Sequence, residues 1–154
     1  MATRGFEFAY DLTGATPVIK DFTCGETTAY AVGDACLIQS DGYIDKVTTS
    51  TTEVTGVCME AVSSTACTVS STQIKFAVVT PTQVWRCSMD ASSTSAKVGY
   101  TKTVDTVDAN TVDADDISSG ALIAWDVSGT DDGGSNILAY VLFSDCTFGG
   151  SMDT

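Results

Sequence analysis

Along this chain apolar and polar residues alternate in short runs, and turn residues close each run. Residues 5–10 set Phe6, Phe8 and Tyr10 between smaller or charged neighbours, the two-residue period of a strand. Residues 11–22 follow with Pro17, which limits pairing in a central strand. Further strands are expected near 28–39, 43–49, 53–63, 66–71, 74–80, 83–89, 95–104, 121–129 and 137–148. In 83–89 Trp85, Cys87 and Met89 share one face, and Val84, Arg86 and Ser88 the other. No segment carries the i, i+3, i+4 apolar spacing of an amphipathic helix. Short strands with a turn signal about every 8–12 residues predict an all-β fold, a sandwich or small barrel.

Turn chemistry sharpens one stretch, AVGDACLIQSDGYIDKV at 31–47. Asp41-Gly42 between two apolar runs predicts a hairpin of type I′ geometry. Asp34 is expected to end a turn into the strand, and Cys36 to pack beside Ile38. Gly56, alone inside a strand, points to a bulge or a close backbone approach. Residues 1–19 read as an N-terminal arm, 20–73 and 74–148 as two small β-modules, and 149–154 as a loose tail. The arm's aromatic strand has two readings: packing on its own domain, or adding to a neighbouring subunit or partner.

Charge and composition then narrow the function. Twenty acidic residues against seven basic ones give a net charge of -13, which repels phosphate backbones and anionic membranes. Neither nucleic acid nor a membrane is expected as a partner. Histidine is absent, which removes the commonest general base and metal ligand. The N-terminal residues lack a signal-peptide core, so synthesis and folding in a cytoplasm are expected. The six cysteines, with no C-x-x-C pair, then read as buried reduced thiols. A disulfide stays open for a particle that leaves the cell, and an even count cannot choose its pairing.

Candidate chemistry is sparse. Asp105, Asp108, Asp113, Asp115 and Asp116 cluster, but the stretch lacks the glycine and terminal glutamate of an EF-hand loop. It reads as a solvated loop, and Asp131 and Asp132 as turn residues. No nucleophile elbow or phosphate-binding glycine loop is present. No catalytic residue, metal or cofactor is therefore called for. Trp85 and Trp125 read as core or interface anchors, with sugar stacking as the other reading.

Several of these segments together resemble the head decoration, or capsid cement, proteins of tailed bacteriophages. The resemblance rests on an N-terminal arm, YAVGDACLIQSDGYIDKV, VTGVCMEAVSS, IKFAVVTPTQVWRC, KVGY and the closing ILAYVLF, across most of residues 17–147. It is one of rhythm rather than of invariant residues. It implies small barrel or tulip-like domains, a trimer or other multimer, and a place on the outer surface of the virion. The partner it implies is the major capsid protein. It implies no catalytic residues. The six cysteines and the Asp-Thr-Val stretch at 103–120 depart from the family's pattern. The residues expected to make capsid or subunit contacts are Phe6, Phe8 and Tyr10, with Pro17 and Val18 at the hinge. Deleting residues 1–19 is expected to abolish binding and leave a folded core. The alternative reading is an acidic β-sandwich that binds carbohydrate or a host surface.

Overall fold

The computed structural model describes residues 5–48, 53–89, 101–102, 112, 122–130, 137–148 and 150–151. In chain order the strands are β1 (Glu7–Asp11), β2 (Ile19–Thr23), β3 (Ala35–Ile38), β4 (Ile44–Lys46), β5 (Gly56–Cys58), β6 (Gln73–Val78), β7 (Gln83–Ser88), β8 (Thr101–Lys102), β9 (Leu122–Thr130), β10 (Ile137–Phe143), β11 (Asp145–Cys146) and β12 (Gly150–Ser151). The fold is all-β. A long sheet has the order β1-β7-β10-β9-β8, and a short sheet the order β2-β6-β5-β3-β4. Every strand pair is antiparallel. The two outer strands of the short sheet approach at one isolated bridge, Cys24 with Ile44. One bridge is not a ladder, so among the described residues the fold is two five-stranded sheets and a separate β11–β12 pair rather than a closed barrel.

Alternation along each strand decides what lies between the sheets. Trp85, Cys87 and Met89 of the β7 region, Val141 and Phe143 of β10, and Leu122 of β9 pack against Ala35, Val57 and Ala77 of the short sheet. The predicted division of faces along 83–89 thus holds. The opposite face of the short sheet is also filled. Phe22, Cys24, Tyr30, Cys36, Ile44, Cys58, Cys67, Ile74 and Phe76 form a second cluster there. Phe76 meets Phe22 and Tyr30 edge-on. Cys36 belongs to this cluster with Ile38 packed against it, as expected.

Two local expectations need correction. The 39–43 connection is a hairpin but not type I′, which requires positive φ at both Asp41 and Gly42. Only Gly42 has it (φ 88°), and its N–H bonds to the Gln39 carbonyl at 2.9 Å. That is a three-residue loop whose glycine makes the bulge, with the Asp41 carboxylate accepting the Tyr43 N–H at 3.0 Å. Residues 66–71 are not a strand. Ser63, Thr68 and Thr72 bond to nearby backbone and fold the segment into successive turns, the local competition that Ser and Thr offer to a ladder. β6 pairs with β2 and β5 and so lies in the short sheet. The sheets part after Val78, at the Thr80–Gln83 turn.

Gly56 makes the close approach expected of it: a Cβ there would meet the Ala77 carbonyl at 2.9 Å. Asp34 ends a turn, its N–H on the Ala31 carbonyl and its carboxylate accepting the Ala31 N–H at 2.8 Å. Gly33 (φ 98°) supplies the conformation that turn needs, and its carbonyl accepts the Phe6 N–H at 3.1 Å.

Candidate functional site

The chemistry-bearing residues are placed for packing. All six cysteines are buried. Burial raises the Cys36 and Cys87 thiols well above their ordinary range, and pushes Cys58 up to about 11 and Cys146 up to about 12. A thiol is nucleophilic as the thiolate, so this environment works against reactivity. Among the described residues no three Cys, Asp or Glu side chains converge on a cation position. The aspartates of 103–120, with Asp131 and Asp132, lie outside the described residues.

What the fold does assemble is a surface around the N-terminal segment. β1 is the outer strand of the long sheet and β2 an outer strand of the short one, so residues 7–23 line an edge of each. Along β2 the Val78 N–H bonds to the Val18 carbonyl and the Cys24 N–H to the Thr72 carbonyl. The antiparallel register between them makes the even-numbered residues the hydrogen-bonded positions. The backbone polar groups of Ile19, Asp21 and Thr23 therefore point away from β6; β4 meets that side at Cys24, and no described strand pairs with it at Ile19 and Asp21. Four apolar side chains in this segment stand in solvent: Tyr10 (46%), Leu12 (48%), Val18 (68%) and Ile19 (52%).

The five expected contact residues divide. Phe6 is buried in the core between the sheets, against Phe143 at 5.4 Å. Phe8 packs on the same core, edge-on to Trp85. Pro17 is half-buried, while Tyr10 and Val18 are exposed. A bulge explains the split. Phe8 pairs with Trp85 and Tyr10 with Val84, leaving Ala9 as the extra residue. The bulge turns Tyr10 to the face opposite Phe8. The described part of the arm is thus an intramolecular strand followed by an exposed loop.

A second bulge places Trp125. On β9, Asp126 pairs with Tyr140 and Ala124 with Val141, so Trp125 is the extra residue. Its indole N–H donates to the Tyr10 hydroxyl at 2.9 Å. β7 and β10 lie between their strands. Three strand spacings of about 4.8 Å separate the two backbones, so both rings must lie along the face to meet. Beside them, Arg86 pairs with Glu7 at 2.9 Å, and its row continues through Tyr140 to Asp126. Trp85, by contrast, is fully buried, its indole N–H on the Gln83 side-chain oxygen. Sequence alternation missed Leu12 and Ile19 as surface residues, and only the hydrophobicity of the 10–19 segment pointed toward them. Trp125 was left between a core or interface anchor and a sugar-stacking platform.

No family model, curated protein or solved structure matches the chain. The functional reading therefore rests on the residues and their arrangement.

Proposed function

We propose that this chain is a structural protein of a phage particle, a capsid decoration subunit that binds the outside of the head and stabilises contacts between major capsid proteins. The observation that carries the reading is the N-terminal segment. It lines an edge of both sheets, turns the backbone groups of Ile19 and Asp21 away from β6 and exposes Tyr10, Leu12, Val18 and Ile19. A partner strand can extend such an edge while its side chains cover the apolar residues. The resemblance in rhythm to decoration proteins supplies the kind of partner. The net charge of -13 suits an outward face that keeps a large particle dispersed. The subunit is read as non-catalytic, without a cofactor, and as a homotrimer on the virion surface.

The experiment is to express the tagged full chain in the infected host, band capsids on a density gradient and image them. The reading expects the chain to band with the heads as protrusions at symmetry-related positions. A chain that stays at monomer mass above the capsid band rejects it.

One observation favours a second reading, an acidic module that binds carbohydrate. Trp125 (41% exposed) and Tyr10 form a joined aromatic pair on the face of the long sheet turned away from the short sheet. Sugar rings stack on such pairs. Quenching of wild-type fluorescence by a glycan, lost in Trp125→Phe, would support it. The buried Trp85 then serves as the internal reference.

A further inference from the structure

Four of the buried thiols, Cys24, Cys36, Cys58 and Cys67, share the second core, on the face of the short sheet turned away from the long one. Two of them are in direct contact: the Cys24 and Cys67 sulfurs lie 2.8 Å apart. The backbone around them holds this meeting in place. The Cys24 N–H bonds to the Thr72 carbonyl and the Ser70 N–H to the Cys24 carbonyl, clamping the 67–72 turns onto the end of β2. The Cys24 thiol also reaches the Thr68 carbonyl at 3.1 Å, and the Cys67 thiol the Glu26 carbonyl at 3.2 Å. Cys24 is in addition the residue that bridges to Ile44. By contrast, the nearest polar contacts of Cys36 and Cys58 are the carbonyls of Asp34 and Glu60.

We infer that Cys24 and Cys67 are a site of disulfide formation, closing when the folded protein meets a disulfide oxidant such as oxidised glutathione. The sulfurs need to move only from 2.8 Å to the bond length of about 2.05 Å. Cys67, on the turn, attacks the oxidant and forms a mixed disulfide, releasing one reduced glutathione. Cys24 then displaces the second. One protein S–S bond forms and one glutathione S–S bond breaks. Two electrons and the two thiol protons end on the two glutathione molecules. Burial, reinforced by the contact with Cys67, pushes the Cys24 thiol up to about 11, so closure quickens as pH rises. The pair stays reduced in a cytoplasm and closes outside it. The bond ties the outer strand β2 to the 63–72 turns across a sequence separation of 43. This inference does not depend on the capsid reading.

The test uses the folded full chain, incubated with oxidised glutathione at mildly alkaline pH. Thiols are then counted in denaturant, and the blocked protein is cut with a glutamyl endopeptidase and trypsin. Cleavage after Glu26 separates Cys24 from Cys36, cleavage after Glu60 separates Cys58 from Cys67, and cleavage after Lys75 and Lys102 separates Cys67, Cys87 and Cys146. The expected result is a fall from six thiols to four. One linked peptide pair should join Cys24 to Cys67. The melting temperature should rise by roughly 10 °C, the entropy effect of a loop of this length. The double variant Cys24→Ser/Cys67→Ser should keep its melting temperature unchanged on the same treatment. Six remaining thiols, or a bond joining Cys36 to Cys58, would overturn the inference.

Discussion

The short sheet has a core cluster on each face, whereas the long sheet has one on its inner face and, on the other, buried Val84 and Leu142 with a joined, part-exposed aromatic pair. The short sheet sets Ala35, Val57 and Ala77 toward the long sheet and Cys36, Cys58 and Phe76 toward its own second core. The long sheet sets Trp85, Val141 and Phe143 inward. Two bulges then turn Tyr10 and Trp125 out. A sheet filled on both sides has little left to offer a partner beyond its edge. The short sheet therefore offers its edge strand β2, and the long sheet the exposed parts of Tyr10 and Trp125, with the N-terminal segment running from one to the other.

The two tryptophans give the largest test of this contrast. Trp85→Ala empties a fully buried site and should cost about 3–5 kcal/mol, read as a large fall in the urea midpoint. Trp125→Ala removes an exposed ring and one hydrogen bond and should cost about 1 kcal/mol or less. Equal losses would erase the distinction between the faces. Next in size is Gly56→Ala, whose added methyl meets the Ala77 carbonyl at 2.9 Å and the Phe76 Cβ at 3.2 Å. Overpacking there should cost about 1–3 kcal/mol in the same urea assay. A neutral result would mean that β5 and β6 shift easily. Tyr30→Phe deletes the buried hydroxyl that donates to the Ile44 carbonyl at 2.8 Å and should cost about 1 kcal/mol. The Gly25 N–H still reaches that carbonyl, which limits the loss.

The smallest effect concerns Asp45. Burial, followed by the Glu26 and Asp41 carboxylates, raises its pKa above the usual 3.8. One of its carboxylate oxygens is buried without a hydrogen-bond partner. A carboxyl whose folded pKa is raised disfavours folding while ionised, so the wild type regains stability as pH falls through that pKa toward 3.8. Asp45→Asn should be slightly more stable than wild type at pH 7, by about 0.5 kcal/mol or less, and lose that advantage near pH 3.5. Urea midpoints at the two pH values check the sign.

Much of this contrast was legible in the sequence where alternation runs unbroken. Trp85, Cys87 and Met89 face the core as their period of two requires. Asp34 and Gly56 act as their residue types suggest. Alternation fails where an extra residue enters. Phe6, Phe8 and Tyr10 read as one face until the bulge at Ala9 separates them. Trp125 owes its exposure to a bulge with no compositional mark. The 66–71 turns hid behind Thr and Val, which favour strands until local Ser and Thr hydrogen bonds outweigh that preference. The placement of β6 depends on which strands pair over long range, and periodicity carries no such information. The Cys24–Cys67 contact is of the same kind, since six cysteines alone select no partner.

Burial of Phe6 and Phe8 also changes how the central claim is tested. Removing residues 1–19 would strip core side chains and the Val18 hydrogen bond to β6, so lost binding would be confounded with lost folding. The direct measurement is head binding by the surface variant Val18→Glu/Ile19→Glu, with thermal unfolding followed on the same sample. The account predicts that head occupancy falls at least tenfold while the melting temperature stays within about 3 °C of wild type. Undiminished occupancy at an unchanged melting temperature would contradict it.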